Sequence, residues 1–93
     1  MQQISMNDIA RWQAEHKDFQ LIDVRDPSEH EAKNIGGILI PLAEIMKNKD
    51  KIQLGKPVVF YCKRGIRSQI AIQKLQRKLP KVEFYNLEGG IGK

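Results

Sequence analysis

The chain has 93 residues, 41% hydrophobic and 29% charged, which fits one small globular domain over residues 1–93 that buries about 60–65% of its unfolded surface. No apolar run approaches the roughly 18 residues of a membrane span, and Met1-Gln2-Gln3-Ile4-Ser5 lacks a basic segment followed by an apolar stretch; a cytoplasmic protein with no membrane partner is expected. A single cysteine excludes an intramolecular disulfide and argues against a cysteine zinc site, and the net charge of +5 is uneven: residues 1–46 hold four Lys/Arg against eight Asp/Glu, residues 47–93 twelve against three.

There is no internal repeat, low-complexity run or long linker, and short apolar runs alternate with amphipathic stretches, the pattern of an α/β fold. Ser5 followed by Asp8 forms a capping box with Asp in the usual Glu position, and Ile4 and Ile9 occupy the staple positions around it. The helix is expected to reach about His16, with Met6, Ile9, Ala10 and Gln13 along one stripe and Trp12 packing beside it. Phe19 to Val24 reads as a strand, ended by the turn chemistry of Asp26-Pro27-Ser28. A short helix follows to Ala32, then Gly36-Gly37 and a short strand Ile38-Leu39-Ile40 closed by Pro41. Leu42 to Lys47 suggests another short helix, and Leu54-Gly55-Lys56-Pro57 a turn. Pro57 to Cys62 is the strongest strand, its continuous apolar character suited to a central parallel position. Ser68 to Leu79 is a helix by the spacing of Ala71, Ile72, Leu75 and Leu79, stopped by Pro80, and Val82 to Asn86 is the last strand.

The chemistry concentrates in Cys62-Lys63-Arg64-Gly65-Ile66-Arg67-Ser68, which leaves the buried strand and enters a helix. A lone Cys is either a small buried hydrophobe or a nucleophile. Sites in open α/β sheets form outside the carboxyl ends of strands, and the following helix aims its free N–H groups and positive dipole end at the loop. Helix dipole, loop amides and the cations Lys63, Arg64 and Arg67 are all expected to favour the Cys62 thiolate. Gly65 allows the loop to curl so that successive N–H groups converge. The basic half holding Cys62 favours anionic partners. Lys47, Lys49, Lys51 and Lys56 read instead as a solvated surface.

This segment resembles the active-site loop of the rhodanese family, Cys-x-x-Gly-x-Arg-Ser/Thr, with Cys62, Gly65, Arg67 and Ser68 matching. Leu21-Ile22-Asp23-Val24-Arg25, Glu29-His30-Glu31, Asn34 to Pro41 and Asn86-Leu87-Glu88-Gly89-Gly90 resemble further family blocks in the same order, over about residues 4–90. The resemblance implies a small three-layer fold with a central, mostly parallel five-stranded sheet flanked by helices. It implies a sulfurtransferase of the thiosulfate:cyanide type with Cys62 as nucleophile, the loop Lys63 to Ser68 binding substrate and persulfide, and neither metal nor organic cofactor. The sulfur donor is then a small anion such as thiosulfate or a persulfide-donating protein, passing sulfur through a Cys62 persulfide to a thiophilic acceptor. Asp23 and Arg25 are expected to be a structural charge pair supporting the loop, Arg67 to brace as well as shape it, and His16 and His30 to be surface residues.

Related folds that hydrolyse phosphoesters place five residues between Cys and Arg, whereas four stand between Cys62 and Arg67 here, a tighter cradle suited to one sulfur atom. The segments Asn34 to Leu42 and Asn86 to Ile91 are closest in pattern to the rhodanese domain of E1-like activating enzymes that serve molybdopterin, thiamine-thiazole or thiolated-tRNA synthesis. That likeness implies a ubiquitin-like sulfur carrier as acceptor. The family pattern continues after its glycine pair with an aromatic residue and a final helix; Ile91-Gly92-Lys93 departs from it, so that helix is expected to be missing, exposing apolar sheet surface or creating a dimer contact in a monomer or weak dimer. A non-catalytic rhodanese-like binding module and a thiol redox sensor are the alternatives, the second weakened by the lack of a resolving Cys. Nucleic-acid binding ranks last, since no aromatics interleave with the basic residues.

Overall fold

A computed structural model describes residues 1–92; Lys93 lies outside the described residues. In chain order the elements are β1 (Gln2–Ile4), α1 (Met6–Ala14), β2 (Gln20–Asp23), α2 (Pro27–Ala32), β3 (Ile38–Leu39), 3-10 turns at Leu42–Glu44 and Lys49–Lys51, β4 (Val58–Tyr61), α3 (Ile66–Gln76) and β5 (Phe84–Leu87). The five strands form one sheet in the order β1-β5-β4-β2-β3, and every pairing is parallel. The expected five-stranded α/β sheet is therefore present, wholly rather than mostly parallel.

A parallel sheet is stable when both faces are covered, and the alternation along β4 shows how this one is. Val58 and Phe60, with Cys62 beyond them, join Ile22, Ala71, Ile72 and Leu75 in a core against α3. Val59 and Tyr61 point the other way, into a core with Ile4, Ile9, Leu87 and Ile91 against α1. All four β4 side chains are fully buried. The helices thus lie on opposite faces, and the loops after β2, β4 and β5 open at the same end. The expected exposure of apolar sheet surface is not what these two cores show: Val59, Tyr61 and Leu87 are completely covered.

The start of α1 follows its local sequence closely. Ser5 accepts from the Asp8 N–H at 3.0 Å, Asp8 accepts from the Ser5 N–H at 3.1 Å, and Ile4 and Ile9 meet in the core. The Asp8 carboxylate, receiving bonds from the Ser5 backbone and side chain and from Arg11, is held below its ordinary value.

Several boundaries differ from expectation for physical reasons. β1 contributes only Ile4 to the core, so its polar Gln2 and Gln3 carry no strand signature; backbone pairing to β5 defines it. The helix expected over Leu42 to Lys47 is a single 3-10 turn to Glu44, in which the Glu44 N–H donates to the Pro41 carbonyl at 2.8 Å and the Ile45 N–H to the Leu42 carbonyl at 3.2 Å; Asn48 beyond it leaves helical geometry (φ −112°, ψ 22°). The helix α3 begins two residues before Ser68 and ends at Gln76, where the Leu75 carbonyl accepts from both Lys78 and Leu79 and tightens the last turn. β5 begins at Phe84, not Val82, since the Val82 N–H is bound to the Leu79 carbonyl. No helix is long and apolar enough to cross a membrane, among the described residues.

Two isoleucines on α3 separate packing from exposure. Ile72 is fully buried and Ile66 is 63% exposed. Ile72→Ala is expected to destabilise the fold by about 2–5 kcal/mol, through lost transfer energy and a residual cavity. Ile66→Ala is expected to stay within about 0.5 kcal/mol. Urea denaturation with unchanged slope checks both.

Candidate functional site

Cys62 is the residue immediately after β4, at the carboxyl end of the most buried strand. Its side chain continues the apolar face of Val58 and Phe60, and only 1% of the residue is exposed. The chain then turns through Lys63 and Arg64 to Gly65, whose φ of +88° is the left-handed conformation that glycine adopts without a Cβ penalty. Gly65 is also the N-cap of α3 and has no side chain with which to cap it. The sulfur fills that role. Cys62 Sγ accepts from the Gly65 N–H at 3.0 Å and from the Ser68 N–H at 3.5 Å, where a capping oxygen would ordinarily sit. The Ser68 hydroxyl lies 3.4 Å from the same sulfur.

The electrostatics follow from those contacts. Burial pushes the Cys62 thiol up; the N–H groups of Ser68, Arg64 and Gly65 pull it down, as would the Ser68 hydroxyl wherever its hydrogen is turned to the sulfur, and the thiol is held below its ordinary value. The cations expected to do this work are arranged differently. The Arg67 guanidinium is forked onto Glu29 of α2, at 2.8 and 2.9 Å, so its charge is neutralised by a carboxylate. The fork from Arg67, with the Asp26 N–H, holds the Glu29 carboxyl down at about 2. Lys63 and Arg64 are exposed. Neutral donors therefore surround the sulfur, and the free cations stand outside it.

A small cleft of about 210 Å³ opens above Cys62, lined by Cys62, Lys63, Arg64, Ile66 and Arg67. Its floor is the sulfur; its rim is cationic and apolar. The segment after β5 braces it from behind. Ile91 N–H donates to the Cys62 carbonyl at 3.0 Å and Gly92 N–H to the Lys63 carbonyl at 2.8 Å, so this segment runs along the loop like an extra strand. A Cβ on Gly90 would fall inside contact distance of the Cys62 and Lys63 carbonyls, which is why a residue without one stands there.

Asp23 and Arg25 form the expected pair, both buried, with Arg25 Nε and Nη2 donating to the two Asp23 oxygens at 2.9 and 2.8 Å. Burial raises the Asp23 carboxyl, but the bonds from Arg25 and His30 outweigh it and hold it below the ordinary range. The pair supports the turn after α2, where Arg25 Nη2 also donates to the Lys33 carbonyl, and its guanidinium lies 5.7 Å over the ring of Tyr61, the residue before Cys62. Among the described residues it makes no hydrogen bond to the Cys62 loop. His30 is not a free surface residue: its Nδ1 lies 2.9 Å from Asp23 Oδ2 and its side chain is three-quarters covered. His16 is exposed, as expected.

Sequence reasoning named the loop but not the partners that hold it. Glu29 carried no signal that it would find Arg67, 38 positions away. Asn86 had one: a polar residue inside an otherwise buried strand must be hydrogen-bonded, and it is, to Ser68, Gln3 and Gly65.

The rhodanese-like domain family matches residues 5–93. This chain belongs to that family. It is 43% identical over 83 residues to the uncharacterized protein YqhL of Bacillus subtilis, covering 88% of this chain and 65% of that one. It is 39% identical over 83 residues to the adenylyltransferase and sulfurtransferase MOCS3 of Drosophila sechellia, covering 81% of this chain and 18% of that one. The thiosulfate sulfurtransferase GlpE of Coxiella burnetii is 36% identical over 76 residues, covering 81% of this chain and 70% of GlpE. Among solved structures, a rhodanese-like domain protein from Staphylococcus aureus superposes with a TM-score of 0.88 at 26% identity, covering 98% of this chain and 88% of that one. The chain spans a little under two thirds of YqhL and less than a fifth of MOCS3. The rhodanese resemblance, including its likeness to the domain of adenylating enzymes, thus holds, and two of these relatives are named sulfurtransferases.

The Arg67–Glu29 fork is testable by pH. Glu29 is depressed in the fold, so its contribution is fully present above the ordinary carboxylate value of 4.5 and is lost as pH falls through about 2. Glu29→Gln is expected to destabilise the protein by about 1 kcal/mol at neutral pH, after allowing for a partly exposed pair. The difference from the unsubstituted protein is expected to shrink steadily between pH 4.5 and 2 in chemical-denaturation titrations.

Proposed function

We propose that this protein is a sulfurtransferase that carries sulfane sulfur as a persulfide on Cys62, the residues 1–93 acting as one rhodanese-like domain. The observation that carries the reading is the cleft: a low-lying thiol at its floor takes backbone N–H bonds at 3.0 and 3.5 Å, while the neighbouring arginine is already occupied by a carboxylate. A phosphoester-cleaving loop grips a tetrahedral oxyanion with its guanidinium and loop N–H groups, and the spacing of four residues between Cys62 and Arg67, one fewer than in such loops, favours sulfur transfer here. Here Arg67 is held by Glu29, and the cleft of about 210 Å³ above Sγ has room for a small anionic sulfur donor.

Thiosulfate is the proposed donor, supported by the likeness to GlpE. The Cys62 thiolate attacks the outer sulfur of thiosulfate. A new S–S bond forms to Sγ, the original S–S bond breaks, and sulfite leaves with the electron pair. The persulfide anion lies within the loop that holds Sγ. An acceptor such as cyanide then attacks the outer sulfur, the bond to Sγ breaks, and the thiolate returns. Lys63 and Arg64, exposed at the rim, attract the anionic donor; Gly65 and Ser68 hold the sulfur through their N–H groups; Ile66 and Arg67 shape the wall. The likeness to MOCS3 favours a protein acceptor as well, a ubiquitin-like sulfur carrier.

Intact-mass measurement after incubation with thiosulfate is expected to show a gain of one sulfur atom, removed by cyanide with release of thiocyanate. Cys62→Ser is expected to abolish both. A Cys62→Ser protein that still yields thiocyanate at the unsubstituted rate would overturn the assignment, and an unmodified mass would favour a binding module.

A further inference from the structure

Behind Cys62 lies a chain of buried polar groups that sulfur transfer does not itself require. Ser68 and Asn86 are both fully buried. The Ser68 hydroxyl is hydrogen-bonded to Asn86 Oδ1 and lies 3.4 Å from Cys62 Sγ. The orientation of the Asn86 amide is fixed by its other contacts. Its nitrogen is 3.3 Å from the Gly65 carbonyl, which can only accept, and 2.9 Å from Gln3 Oε1. The amide oxygen must therefore be the atom that faces Ser68.

A hydroxyl has one hydrogen. An amide oxygen cannot donate, so the bond between Ser68 and Asn86 uses that hydrogen. What Ser68 then presents to Cys62 is a lone pair. A lone pair accepts from a thiol S–H and repels a thiolate. The downward pull on Cys62 that a donating Ser68 hydroxyl would exert is absent in this arrangement, and only the backbone N–H groups stabilise the anion. For Ser68 to turn its hydrogen to the sulfur, it would have to leave Asn86 Oδ1 buried without a donor, which costs more than an ordinary hydrogen bond returns.

We propose that Asn86 is a positioning residue that holds the Ser68 hydroxyl hydrogen away from Cys62, so that the resting sulfur is a thiol donating through Ser68 to Asn86. The β5 strand thereby sets the ionisation of a sulfur on the neighbouring β4 strand. The consequence is a brake: the empty sulfur ionises less readily than its N–H cradle alone would allow. A sulfur bonded to a second sulfur carries neither a proton nor the charge at Sγ, so the same lone pair costs the loaded form less. This last step rests on the proposed sulfur transfer; the brake itself does not.

The test is the pH dependence of Cys62 alkylation by iodoacetamide, a readout that needs no sulfur donor. In the full chain, Ser68→Ala removes the lone pair and is expected to move the alkylation midpoint down by about half a pH unit. Asn86→Ala frees the hydroxyl to donate to sulfur and is expected to move it down as well, by about half to one unit. The signature is a change of sign. In the Asn86→Ala background, Ser68→Ala is expected to raise the midpoint, because the serine there has become a donor. A midpoint that rises or stays put in the Ser68→Ala single variant overturns the proposal. So does a rise in Asn86→Ala, the result expected if the asparagine only anchors the Gly65 carbonyl. Should Asn86→Ala fail to fold, the single serine variant still decides, since it deletes one atom. Loss of thiocyanate formation with these shifts intact would count against sulfur transfer and leave the brake standing.

Discussion

A buried cysteine must find its hydrogen-bond partners inside the protein, and the architecture at the carboxyl end of the sheet answers that requirement. The strand that brings Cys62 there is covered on both faces, so the residue cannot move toward water without dragging a fully packed β4 with it. The helix that follows begins with glycine and has no cap of its own. Each need meets the other. The uncapped N–H groups of α3 require an acceptor, and the sulfur is the atom within reach. Capping a helix and lowering a thiol are here one interaction viewed from its two ends.

That arrangement holds only while the loop between Cys62 and Gly65 keeps its shape, and three elements distant in sequence fix it. From α2, Glu29 grips Arg67 and pins the first turn of α3. From the segment after β5, Ile91 and Gly92 bond the carbonyls of Cys62 and Lys63. From β5 itself, Asn86 holds the Gly65 carbonyl. None of these contacts is local, so the geometry at the sulfur belongs to the whole fold and not to the seven-residue loop. A peptide of that loop would carry the residues without their arrangement, because ordering it alone would cost about 1–2 kcal/mol per residue with little burial in return.

The parts of this structure that were legible in the sequence are those governed by short-range rules. The capping box at Ser5, the apolar run of β4, the spacing of Ala71, Ile72 and Leu75, and the Cys-to-Ser68 loop each declare themselves within about ten residues. What was not legible depends on pairing across the chain. β1 is a strand because β5 lies beside it, and its two glutamines give no hint. The segment after Pro41 closes in bonds to carbonyls three residues back, at Pro41 and Leu42, a distinction that apolar spacing over so few residues does not carry. Arg67 was read as a cation acting on Cys62, yet its partner is Glu29. His30 looked free because its partner, Asp23, precedes the helix it sits on. Charge alone indicates which residues attract one another, and only the fold says which of them meet.

The uneven charge of the chain takes on a more specific sense in that light. Lys63 and Arg64 act at the mouth of the cleft, where water and salt surround them; their attraction falls off over a Debye length of about 10 Å at moderate ionic strength. The N–H groups on the sulfur are buried, rigid and uncharged, so salt screens them little. A cation in direct contact with the sulfur would have tied stabilisation of the anion to recruitment of an anionic donor, since a bound donor would compete for the same charge. Neutralising Arg67 with Glu29 and leaving the sulfur to backbone dipoles separates the two tasks. The rim then draws an anion in without loosening the hold on the thiolate, and on the proposed reading the sulfur keeps its donors in both the empty and the loaded state.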